Sequence, residues 1–332
     1  MRTIRIYLTI IGYHWHLIRF VILHNRKFKD FVKNYLSEFQ KNGMKLRTDI
    51  KKISDYYVPA NSLLNDIISI LQRGHKLTEN EMNKSVYAAI LTPIFDDLLD
   101  LNLLPVQNQK ELFLNTENYT PLIVEDKIVH DSLLTISKLG IRNKTSYEKS
   151  KIDVFNSQSE SIKQLDDDVS RDVLINILNY KSEAALVFYY CLLDLEHSYE
   201  VEKSIRMFAR LGQMTNDLFD VYKDYQEGIR TYANTCEDFE ALEQKFLEDS
   251  REFCRFTRSL GYPQKQTERY LGVLCIVLGR GLVMVRQLVR LQEKVGKGPL
   301  PFDKLPRHEC IGDMEKPINI MRVMHAMKEI LE

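Results

Sequence analysis

The chain has 332 residues, 44% of them hydrophobic and 28% charged, enough to bury one large core or two ordinary ones. Its 46 Lys and Arg balance its 46 Asp and Glu, which excludes a general affinity for nucleic acid. Five cysteines, an odd number without CxxC spacing, argue against a structural zinc and point to a reducing, cytoplasmic setting.

Residues 1–26 form the first predicted element. Arg2, Arg5 and Arg19, with His14 and His16, interrupt the apolar run from Ile4 to Leu23, so it is a poor membrane span, and no small-residue cleavage site follows. Ile4, Leu8, Ile11, Trp15, Ile18 and Ile22 nevertheless share one helical stripe, opposite several basic residues. Two readings stand level: an interfacial helix touching a membrane peripherally through residues 4–23, and a helix that packs on the core or caps a site.

Residues 27–332 read as one helical domain. Phe31-Tyr35-Phe39, Leu63-Leu64-Ile67-Ile68-Leu71 and Leu271-Leu274-Val277-Leu278-Leu282-Val285 keep i, i+3, i+4 spacing, while strand alternation is almost absent. Pro59, Pro105, Pro121, Gly140, Gly228 and the Gly261-Tyr262-Pro263 turn punctuate helix ends. Pro93 should kink a helix or begin it. Thr145 to Ser170 reads as an inter-helix loop with a short charged helix, and no linker, repeat or low-complexity tract divides the chain. His75, His130, His197 and His308 are scattered and read as ordinary.

Chemistry concentrates in two acidic clusters. In Asp96-Asp97-Leu98-Leu99-Asp100, Asp96 and Asp100 project about 40° apart; in Asn216-Asp217-Leu218-Phe219-Asp220-Val221-Tyr222-Lys223-Asp224, residues Asn216, Asp220 and Asp224 spread over about 80° with Lys223 on the same stripe. Both clusters sit among apolar neighbours, where an unpaired carboxylate is costly. A divalent cation offsets that cost, and an all-oxygen donor set without His or Cys favours Mg²⁺ or Mn²⁺. The bland alternative for either run alone is a solvated helix face.

With these residues the chain resembles the class I isoprenoid synthase superfamily: Asp96 to Asp100 reads as DDxxD, and Asn216 to Asp224 as the terpene synthase (N/D)Dxx(S/T)xx(K/R)(D/E) triad, with Asp220 where Ser or Thr is usual. An aspartate there is a squalene and phytoene synthase feature. Leu211-Gly212-Gln213-Met214-Thr215-Asn216 matches the LGxxxQxxNxxxDxxxD pattern of those enzymes in part, and Gly228-Ile229-Arg230-Thr231-Tyr232 is similar to the loop they carry next. The resemblance covers residues 50 to 300 and implies an all-α single-domain bundle around a central active-site cavity. It also implies a prenyl diphosphate substrate and a three-ion Mg²⁺ cluster, Mn²⁺ being the variant, held by Asp96, Asp97, Asp100, Asn216, Asp220 and Asp224.

For the diphosphate the resemblance suggests Arg171, Lys181, Lys223, Arg230 and the Arg269-Tyr270 pair, with Arg280, Arg286 and Arg290 as alternatives to that pair. A guanidinium fork suits phosphate oxygens, although Arg171 could instead pair with Asp166-Asp167-Asp168. Phe95, Phe188, Tyr189, Tyr190 and Phe219 could stabilise a carbocation by cation-π attraction or simply fill the core. The leading expectation is a terpene synthase, a Mg²⁺-dependent lyase acting on a linear prenyl diphosphate; the alternative is a squalene or phytoene synthase-like head-to-head prenyltransferase. A chain-elongating prenyl diphosphate synthase ranks below both, because the second motif begins with Asn. A non-catalytic prenyl-lipid-binding scaffold completes the set.

Overall fold

The computed structural model describes residues 2–40, 46–296, 298–314 and 316–332. Every regular element among them is helical, in keeping with the all-α expectation. In chain order the helices are α1 (Arg2–Gln40), α2 (Ile50–Lys52), α3 (Val58–Arg73), α4 (Glu79–Asp100), α5 (Val106–Leu114), α6 (Val124–Lys138) and α7 (Lys144–Ser161). Then follow α8 (Arg171–Cys191), α9 (Tyr199–Gln226), α10 (Phe239–Arg258), α11 (Gln264–Val295), the single turn α12 (Arg307–Cys310) and α13 (Pro317–Leu331). A π-helical segment, Ile53–Tyr57, joins α2 to α3. The polar stretch expected as mostly loop is helical through α7, which buries Tyr147 and Phe155.

The chain's contacts group into two compact units: residues 16–159 with 184–198, and residues 1–15, 160–183 and 199–332. The element expected to end at residue 26 runs unbroken to Gln40, because Phe28, Val32, Leu36 and Phe39 continue its buried face at helical spacing.

In the amino-half unit α4 packs against α3 and α6. It starts at a capping box, the Thr78 hydroxyl accepting from the Glu81 amide while Glu81 accepts from the Thr78 amide at 2.8 Å. Glu81 is fully buried and also accepts from Arg73 Nη1 at 3.0 Å and from the Asp194 amide at 2.9 Å. Burial alone would raise its pKa; Arg73, Thr78 and Asp194 reverse that and bring it down to about 2. Pro93 lies inside α4, which passes through it without ending, so the helix that carries the first acidic cluster begins at Glu79. Phe31 and Tyr35 of α1 meet the Tyr87 ring edge-on, at 5.4 and 5.3 Å.

In the carboxy-half unit α11 packs against α9, α10 and α13. By length and composition α11 could cross a membrane, yet 72% of its most apolar window is buried inside the protein, as for a core helix. Two of its glycines admit close neighbours: a Cβ on Gly272 would lie 2.3 Å from the Tyr13 ring, and one on Gly281 would lie 2.3 Å from Thr215 Oγ1 and 2.8 Å from Phe246. Thr215 immediately precedes the second acidic cluster, so the bare backbone at Gly281 sets how near α9 lies to α11 there. Gly281→Ala should lower stability by about 1–3 kcal/mol through overpacking, seen as an earlier urea midpoint at unchanged slope. An unchanged midpoint would show that this approach is not constrained.

Candidate active site

Around the first cluster, Asp96 and Asp97 are half-buried and Asp100 is exposed. Gln158 Nε2 donates to Asp96 Oδ1 at 2.6 Å, and the Thr48 hydroxyl donates to Asp97 Oδ2. The phenols of Tyr57, at the end of the π-helical segment, and of Tyr189 are held well above their ordinary pKa, first by burial and then by the negative charge of Asp96. Tyr189 also shares a 2.8 Å hydrogen bond with the Thr92 hydroxyl, one turn before Asp96. Gln158 and Thr48 thus each orient one of the two carboxylates from another element. Thr48, Tyr57 and Gln158 carry no motif signal, since each reaches the cluster from another element.

In the second cluster, on α9, Asn216 is exposed, Asp220 half-buried, and Asp217 and Asp224 are 5% and 9% exposed. Asp217 accepts from Gln213 Nε2 at 2.8 Å. Its pKa is pushed up to about 7, chiefly by burial, against the Gln213 bond, with Asp224 and Asp220 adding and Lys181 opposing. Asp224 also rises to about 7, through burial and then Asp220. The i, i+3, i+7 set Asp217, Asp220 and Asp224 is therefore the interacting carboxylate group, with Lys181 beside it. The expected metal ligand Asn216 lies on the exposed side of the helix, and Asp217, absent from the expected ligand set, takes the buried place. The apolar residues Leu218 and Val221 beside it were the signal.

Several expected diphosphate contacts are engaged elsewhere. Arg171 Nη2 donates to the Tyr232 hydroxyl at 2.8 Å and its guanidinium stacks over that ring at 4.7 Å, in place of the pairing with Asp166-Asp167-Asp168. Arg230 pairs with Asp167 at 3.3 Å and Lys223 with Glu227 at 3.6 Å, both at the surface. Tyr270 is fully buried with its ring 6.4 Å from that of Phe253, and Arg269 beside it is half-buried. Arg286, one of the alternatives, is committed to Glu243 and Glu329. Among the aromatics, Phe95 packs on Phe113 at 4.1 Å and Phe188 on Tyr147 at 5.7 Å, so these two serve the core.

A cavity of about 480 Å³ opens between α8, α9 and α10, over Ile175, Met207, Met214 and Phe246, with Lys203 and Lys245 among its polar lining. None of the expected site residues lines it, because it uses the face of α9 that carries Met207 and Met214 and not the face of Asp220 and Asp224.

No protein-family model and no curated protein matches the chain. Among solved structures, that of a dehydrosqualene synthase in complex with a ligand is similar over 93% of this chain and 96% of its own, at 13% identity and a TM-score of 0.48.

Among the described residues no group of three or more His, Cys, Asp or Glu side chains is gathered closely enough to hold a metal ion alone. The donor chemistry on α9 nevertheless fits one in kind: Asp217, Asp220 and Asp224 offer oxygen ligands only, the sort Mg²⁺ shares with substrate oxygens.

The raised pKa values have a definite sign. Below about pH 4 Asp217 is protonated in both folded and unfolded chains; between about 4 and 7 the folded state holds a proton that the unfolded state has released, so stability falls as pH rises through that window. Asp217→Asn should therefore stabilise the fold at pH 8 by on the order of 4 kcal/mol at most, seen as a higher melting temperature, and change little at pH 4. A pH-independent difference in calorimetry would remove the buried-carboxylate account.

Proposed function

We propose that the protein is an isoprenoid synthase-like enzyme, a terpene synthase that ionises a linear prenyl diphosphate with release of pyrophosphate. The observation that carries this reading is the Asp217, Asp220 and Asp224 group on successive turns of α9, in which Asp217 and Asp224 are buried and driven toward protonation chiefly by that burial, opposed by Gln213 and Lys181 at the first and by Lys223 and Lys181 at the second. Groups so placed gain most from a divalent cation and an anionic substrate arriving together. The DDxxD cluster on α4, whose Asp96 and Asp97 are oriented by Gln158 and Thr48, would offer a set of carboxylate oxygens of its own.

In this reading Asp96, Asp97 and Asp100 on α4, and separately Asp217, Asp220 and Asp224 on α9, would hold Mg²⁺, which would supply Lewis-acid stabilisation of the departing pyrophosphate. Lys181 adds a fixed positive charge beside the α9 carboxylates and so favours the diphosphate there. Gln158, Thr48 and Gln213 keep their carboxylates aimed while the substrate is absent, which limits the reorganisation needed when it binds. The bond broken is the allylic C–O bond; its electron pair leaves with pyrophosphate, and the allylic cation loses its charge on expelling a proton or capturing a nucleophile. Water has to be excluded at that stage, or an alcohol forms instead.

A head-to-head condensation of two prenyl diphosphates is the second reading, favoured by Asp220 in the middle of the second cluster. Incubation of the purified protein with Mg²⁺ and geranyl, farnesyl or geranylgeranyl diphosphate should release pyrophosphate, with products of one substrate's carbon count. Products of doubled size would select the second reading. Asp96→Ala and Asp224→Asn should each lower the rate at least about 100-fold, whereas Asn216→Ala should cost less than Asp217→Asn. Absence of release from every substrate would reject both readings.

Metal binding is checked apart from activity. Because Asp217 and Asp224 hold protons near neutral pH, Mg²⁺ with inorganic pyrophosphate should release protons at pH 6.5, measured by calorimetry in two buffers of different ionisation heat. That release should vanish in Asp217→Asn/Asp224→Asn.

A further inference from the structure

Helix α1 carries a feature the proposed chemistry does not use. Ile11, Trp15, Ile18 and Ile22 are 51%, 62%, 47% and 67% exposed, at i, i+4, i+7 and i+11, so one face of a continuous helix presents four large apolar side chains to solvent. Their directions span about 60°. The other side of the helix is fixed: Ile10, Phe20 and Phe28 are buried, and Tyr13 lies against the bare backbone of Gly272. Tyr13 is buried enough that its phenol pKa is pushed up to about 12. The apolar stripe cannot turn inward without breaking that packing.

Charge decides what covers the stripe. Arg19 and Arg26 project within about 70° of its centre and are exposed, Arg26 at 95%, and Lys29 continues the line of the stripe. Residues 2–29 contain six Lys or Arg and no Asp or Glu; Asp30 lies 3.9 Å from Arg26, Asp55 pairs with Lys29 at 3.0 Å, and Glu268, paired with Arg258 at 2.8 Å, neighbours Tyr13 on the packed side. A second copy docking by twofold symmetry would bring Arg19 and Arg26 against their own kind, which costs energy. An anionic lipid surface instead accepts the apolar side chains below and the guanidinium groups at the headgroups, with the Trp15 ring at the interface between them.

We propose that α1 is a membrane-surface docking element: residues 11–29 lie in the plane of an anionic bilayer, with Ile11, Trp15, Ile18 and Ile22 inserted to headgroup depth. The stripe is long enough to graze a bilayer and too short and too charged to cross one.

The chain has one tryptophan, Trp15, so its fluorescence reports this face alone. Full-length protein mixed with phosphatidylcholine vesicles containing phosphatidylglycerol should show a blue-shifted, brighter emission and float with the vesicles; pure phosphatidylcholine vesicles should give much less of both. Ile18→Ser/Ile22→Ser should weaken partitioning at least about tenfold, and Arg19→Gln/Arg26→Gln about tenfold, each with unchanged far-ultraviolet circular dichroism. The Arg pair's effect should vanish on pure phosphatidylcholine. The proposal is overturned if emission and flotation do not respond to anionic vesicles, if the Arg pair changes nothing, or if Trp15 emission is already blue-shifted without lipid and follows a concentration-dependent dimer. Because none of these readouts uses substrate, the outcome is independent of the proposed chemistry.

Discussion

Taking carboxylates out of water is the constraint around which this helical protein is organised, and it is met in two opposite ways. Glu81 is fully buried, but a guanidinium, a hydroxyl and two backbone amides converge on it, and its pKa falls to about 2. Asp217 and Asp224 are nearly as buried, yet with one amide donor, Gln213, and two lysines, Lys181 and Lys223, opposing that burial they still rise to about 7. The first arrangement closes a capping box and ties α3 to the start of α4; it is complete, and nothing can be added to it. The second is incomplete within the protein, and an arriving cation and anion would complete it.

The backbone supports this contrast. Capping at Thr78 fixes where α4 begins, and its 22 residues carry Asp96 and Asp97 to the far end of the same rigid rod. On α9 the carboxylates occupy successive turns of a 28-residue helix whose approach to α11 is set by the missing side chain at Gly281. Both acidic sets therefore stand on long packed helices and not on loops, so their spacing follows helical geometry and needs little help from ordering on binding. The polar neighbours Gln158, Thr48 and Gln213 each donate a hydrogen bond to one carboxylate and so aim its oxygens.

Helix α1 shows the same economy applied to apolar surface. Its buried face is pinned by Tyr13 on Gly272 and by Phe20 and Phe28, while an equally apolar face is left outside and bordered by cations. Solvent does not stabilise such a face, so its persistence beside arginines points outward, to a surface with negative charge and an apolar interior. A protein that handles greasy diphosphates would work close to where those molecules partition. The two proposals are nonetheless separate in their physics, since one concerns buried charge and the other exposed hydrocarbon.

Helical character, the placing of both acidic clusters on helices and the amphipathic first element were all legible in the sequence, because each depends only on residues a few positions apart and on a 3.6-residue period. Tertiary structure alone decided which acids are buried. Asp217 and not Asn216 faces inward because of the direction from which α9 is covered, and no local pattern encodes that direction. Packing likewise spent Tyr270 and Phe95 on the core and gave Arg171 to Tyr232, 61 residues away, and Asp96 to Gln158, 62 residues away. Burial and hydrogen-bond partnership arise between distant segments, and they set the charge state of a carboxylate; spacing along the chain fixes only where the carboxylate can be.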